Sequence, residues 1–91
     1  MDKYSSAALK IITTQELLIG PLARDLARKV PGLTFNALNS VELIGDPKNI
    51  LGNLVNQYYG IFGKTSIAVS KDALKPMSGS LSLDELPDIL K

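Results

Sequence analysis

The sequence predicts a mainly α protein: four to five short helices in a small bundle, with an α+β alternative that adds a short β-hairpin around residues 33–44. Three observations point there. Apolar residues recur at helical spacing, most regularly in Ile50, Leu51, Leu54, Val55, Tyr58, Ile61 and Phe62. Helix starts and stops are marked by Gly20-Pro21, Pro31-Gly32, Asp46-Pro47 and Pro76. Apolar residues make up 45% of the chain and charged residues 21%, the balance of a folded domain rather than a disordered one.

Near the N-terminus, Ser5 and Ser6 offer caps for a first helix beginning at about Ala7, with Ala7, Ala8, Leu9, Ile11 and Ile12 as its apolar content. Thr13 and Glu16 have capping-box spacing, so either a new helix starts there or the first one continues. Leu18, Leu22 and Leu26 then recur every fourth residue beside Ala23, Ala27 and Val30, which reads as a helical stripe over residues 14–29. Pro21 lacks an N–H and clashes with the preceding turn, so it kinks that helix or begins a new one. Pro31-Gly32 ends it.

Two Asn and a Ser disfavour a long helix over residues 33–45. Leu33-Thr34-Phe35 and Val41-Glu42-Leu43-Ile44 fit short strands instead. Asp46 as N-cap and Pro47 at the first helical position open a helix over 47–62, closed by Gly63. A further segment from Thr65, its expected cap, runs to about Lys75 and stops at Pro76. Ser66–Ser70 also fits a strand, but Lys71–Lys75 continues helically. The division expected is a helical domain over 1–77, then a flexible joint and a short amphipathic segment over 78–91, where Ser82 and Glu85 form another capping box.

Ninety-one residues make one domain with a modest core. Cys is absent, which excludes disulfides and thiolate chemistry. His is absent as well, removing the commonest general base and metal ligand. No catalytic, cofactor-binding or metal-binding residue is expected, and no small-molecule ligand is evident. Ten basic and nine acidic residues leave a formal net charge of +1, which predicts little general attraction to nucleic acid or anionic membrane. No apolar run is long enough to span a membrane, and MDKYSSAALKIITT is a poor signal peptide. The expected location is the cytoplasm.

Gly63-Lys64-Thr65 resembles the end of a phosphate-binding loop. Such a loop needs a glycine five residues before Gly63, where this chain has Tyr58, and a preceding strand, where this chain predicts helix. The triplet therefore reads as a helix–Gly–helix corner. A helix after a corner raises the DNA-recognition alternative, with Lys64, Ser66, Ser70, Lys71 and Lys75 as candidates, but no Arg lies there. Arg24, Arg28 and Lys29 form a basic cluster near a helix end. Tyr58 extends the Leu54–Tyr58–Phe62 row into the core and leaves Tyr59 partly exposed. Leu83, Leu86 and Leu90 alternate with acids in a tail that either folds back or docks on another protein.

The stretch IGPLARDLARKV (Ile19–Val30), chiefly through Gly20, Pro21 and Ala23, resembles the helix entry of small helical modules attached to bacterial signalling kinases and response regulators. The resemblance implies an interaction role and transfers no functional residue. The function expected is a non-enzymatic protein–protein interaction or regulatory module, with a small helix-turn-helix DNA-binding regulator as the alternative. Its partner is another protein or a second copy, because Leu17, Ile61 and the tail leucines remain after one stripe per helix is buried. The candidate contact residues are Arg24, Arg28, Tyr59, Leu83, Leu86 and Leu90.

Overall fold

The computed structural model describes residues 2–91. In chain order it holds α1 (Lys3–Ile19), α2 (Leu22–Arg28), β1 (Leu33–Ala37), β2 (Ser40–Leu43), α3 (Pro47–Phe62) and α4 (Lys64–Leu74), followed by three single 3₁₀ turns. The chain is mainly α with a short antiparallel hairpin, as the sequence predicts. No helix among the described residues is long and apolar enough to cross a membrane.

The first helix begins earlier than Ser5 and Ser6 suggest. Asp2 is the N-cap, its carboxylate accepting from the Ser5 amide at 2.8 Å. That amide holds the Asp2 carboxyl below its usual range. Ala8, Ile11, Ile12 and Gln15 then line the buried face at helical spacing. Thr13 caps nothing. Its hydroxyl donates back to the Leu9 carbonyl at 2.9 Å, and α1 continues through it. The helix stops at Gly20, and Pro21 opens a separate helix, α2. The stripe read across residues 14–29 is therefore broken: Leu26 is buried, while Leu18 and Leu22 are exposed.

In the hairpin, Leu33 pairs with Leu43, Thr34 with Glu42, Phe35 with Val41 and Ala37 with Ser40, with a bulge between Phe35 and Ala37. Leu33, Phe35, Val41 and Leu43 share the core face, and Thr34 and Glu42 face out. Gly32 sets the hairpin base at φ 87°. A Cβ there would stand 2.6 Å from the Ile44 carbonyl oxygen, so only glycine fits.

Helix α3 matches its predicted bounds. Asp46 accepts from the Lys48 amide at 3.1 Å, Pro47 sits in the first turn, and Ile50, Leu51, Leu54, Val55 and Tyr58 are buried. The Leu54–Tyr58 row does not extend to Phe62, which is 39% exposed at the helix end. Gly63, at φ 68°, turns the chain directly into α4. Residues 64–74 are helical throughout, and Thr65 does not cap them: the N-cap is Gly63, with no side-chain bond.

The tail folds back. Leu81, Pro87 and Leu90 are buried, Tyr4 donates its hydroxyl to the Glu85 carbonyl at 2.8 Å, and Lys3 pairs with the Glu85 carboxylate. The Ser82 amide donates to Glu85 Oε1 at 3.1 Å, which fits the Ser82/Glu85 pattern in the sequence. Leu86-Pro87 divides the segment into two 3₁₀ turns, Leu83–Glu85 and Asp88–Leu90.

Candidate interaction surfaces

The corner between α3 and α4 is organised from inside. Ser66 and Ser70 point inward from α4. Ser66 Oγ donates to the Tyr58 carbonyl at 3.0 Å, Ser70 Oγ donates to the Ser66 carbonyl at 2.8 Å, and Gln15 Nε2 donates to the Ser66 carbonyl at 3.3 Å. The Tyr58 hydroxyl donates to the Ala23 carbonyl at 2.8 Å. Burial pushes the Tyr58 pKa well above its usual value, so the phenol stays protonated. Each hydroxyl thus donates to a backbone carbonyl, an arrangement that ties elements together. Ser66 and Ser70 are accordingly not on the surface of α4, and the DNA-recognition face expected there is reduced to Lys64, Lys71 and Lys75.

These bonds gather the end of α1, the start of α2, the end of α3 and the start of α4 at one pole of the molecule. The hairpin tip joins them, because Arg24 Nη1 donates to the Leu38 carbonyl at 2.6 Å while its Nε donates to Glu16 at 2.8 Å. Leu17, Leu18, Leu22, Leu38, Ile61 and Phe62 are exposed large apolar side chains on these element ends, Leu17 at 87% and Leu38 at 72%, with Tyr59 of α3 exposed as well. Leu17 and Ile61 are the two helix residues that the sequence leaves over.

The sequence-derived contact residues divide into two groups. Arg24 is internal, its side chain 11% exposed and forked onto Glu16. The Arg24 and Arg28 guanidinium carbons lie 5.5 and 5.2 Å from the centre of the Phe35 ring, so both cations clamp the hairpin. Arg28 also pairs with Asp25 at 3.0 Å on the surface. The second group lies against α4. Tyr59 lines a hollow of about 470 Å³ with Ile67, Lys71 and Ile89. Leu83, Leu86 and Leu90 line a second, also about 470 Å³, that shares Lys71. Within it Leu83 is 65% exposed, while Leu90 is only 4% exposed and belongs to the core.

Sequence reasoning missed the approach of two arginines to the Phe35 ring, since nothing in the spacing brings residue 35 to residue 24 before the hairpin forms. It also missed Lys64, Lys71 and Lys75 as one rim of these hollows, although their spacing was visible. Among the described residues no cluster of His, Cys, Asp and Glu is placed to hold a metal. No protein-family model matches the chain, and no curated protein or solved structure matches it either.

Proposed function

We propose that the chain is a non-enzymatic protein–protein interaction or regulatory module that pairs with a second copy of itself through the apolar pole. The observation that carries this reading is the exposure of Leu17, Leu18, Leu22, Leu38, Ile61 and Phe62 on element ends that the hydrogen bonds of Tyr58, Ser66, Gln15 and Arg24 tie together. Exposed apolar area concentrated in one place is a feature of contact surfaces. The large exposed side chains of the pole are aliphatic or aromatic, with Lys64, Thr65 and Asn39 exposed beside them, so its best complement is a largely apolar surface with a polar edge. A two-fold pairing supplies one without a second gene product, since the same patch serves both sides. The resemblance of Ile19–Val30 to modules attached to signalling proteins supports the same class.

The test is the solution mass by light scattering. A 9.8 kDa chain should scatter at twice that mass at high micromolar concentration. The double variant Leu17→Glu, Phe62→Glu, which places charge on exposed positions, should return to the single-chain mass with its helical circular dichroism unchanged. A single-chain mass for the unaltered protein at every concentration contradicts the reading.

A further inference from the structure

We propose that the groove along α4 docks an acidic amphipathic helix of another protein, an inference that rests on the interaction-module reading and gives it a second surface. Lys71 and Lys75 follow Lys64 by seven and eleven positions, so Lys64 and Lys71 fall on one line of α4 and Lys75, its C-cap in right-handed helical conformation, extends that line. That line rises ~16 Å at 1.5 Å per residue. Ile67 and Ala68 lie between the first two lysines and line the same hollow. Beyond Lys71 a second hollow continues over Leu74, Leu81, Leu83 and Leu86, with Lys91 also in its lining.

The charge is one-sided. No acidic side chain lines either hollow. Among the described residues Lys64 and Lys71 have no carboxylate partner. Lys75 and Lys91 have only their neighbours Asp72, at 3.0 Å, and Asp88, at 3.4 Å. Exposed pairs of that kind hold their partners weakly and exchange readily for a better-placed carboxylate.

The complement of a leucine floor beside a straight row of ammonium groups is a helix whose apolar stripe is flanked by carboxylates. A nucleic acid matches only half of this: it would neutralise the lysines and set a charged backbone over the leucines. With no arginine on α4 and a net charge of +1, long-range attraction to phosphate is also small. The protein helix is the occupant that satisfies both halves of the surface.

The experiment is a fluorescence-anisotropy titration with a labelled synthetic helix of about 16 residues, long enough to follow the lysine row with a turn to spare. The peptide carries leucines three and four positions apart and Glu on both flanks. Saturable binding in the micromolar range is expected, weakening as salt rises. Lys64→Glu with Lys71→Glu should weaken it about tenfold or more, and Leu83→Asp by a similar factor. All three positions are exposed, and circular dichroism checks that the variants remain folded. Absence of saturable binding overturns the proposal. So does binding unaffected by the variants, or equalled by a scrambled peptide of the same composition, a random DNA duplex or laurate. Peptide binding and solution mass are read separately, so loss of the groove with the dimer intact, or the reverse, shows which of the two surfaces has failed.

Discussion

At the scale of single residues, Tyr58 is the side chain on which the arrangement of elements turns. It is fully buried at the end of α3, donates to the Ala23 carbonyl of α2, and offers its own carbonyl to Ser66 of α4. Removing its hydroxyl in Tyr58→Phe leaves the Ala23 carbonyl without that partner, at a cost of about 1–2 kcal/mol. The hydroxyl also makes stability depend on pH. Burial raises its pKa above the ordinary value of 10.0, so the folded chain holds this proton more tightly than the unfolded one. The resulting stability is present in full below pH 10 and is lost as pH climbs through and beyond it. Urea unfolding at pH 8 and at pH 11 should therefore show a smaller alkaline loss in Tyr58→Phe than in the unaltered chain. Equal losses in the two proteins would contradict this role for the phenol.

At the scale of elements, the tail is an integral layer of the fold in the geometry observed. Leu81 and Leu90 are 6% and 4% exposed, and Pro87 packs against Gly52 of α3, where an added Cβ would meet the proline ring 3.1 Å away. Burying a leucine contributes about 1.5–3 kcal/mol, so ending the chain after Met77 should cost several kcal/mol and lower the thermal midpoint markedly. An unchanged midpoint would mean that the tail stands apart from the body in solution.

How much of this was legible varied from element to element. Helix α3 could be read to the residue because Asp46, Pro47 and Gly63 bracket one unbroken periodic run. The hairpin was visible only as an alternative, since its strands carry few inward residues each. The break at Gly20-Pro21 was visible too, but not its consequence. Leu18 and Leu22 look like one stripe until the chain turns between them, and then both face solvent. The lysine row on α4 was read as half of a DNA face because Ser66 and Ser70 share its helix. Only the folded packing, with both serines buried, Ser66 bonded to the Tyr58 carbonyl and Gln15 against them, shows that the serines point inward.

At the scale of the whole molecule, the described residues span 29 × 28 × 20 Å, and two surfaces of different character are set on that body. The apolar pole is formed where four helix ends and the hairpin tip meet, so it belongs to no single element and no single stretch of sequence announces it. The groove along α4 is apolar too, but carries a row of cations of which the pole holds only the first, Lys64 at the start of α4. Self-association through the pole should therefore depend on salt less than docking in the groove, which should weaken as salt rises. The measurement that tests the central claim most directly is a dilution series followed by methyl NMR. On dilution through the dissociation range, the methyl resonances of Leu17, Leu18, Leu22, Leu38 and Ile61 should shift together, while those of Leu74, Leu81 and Leu83 in the groove stay fixed. Spectra that do not change with concentration, or shifts centred on the groove and not on the pole, would contradict it.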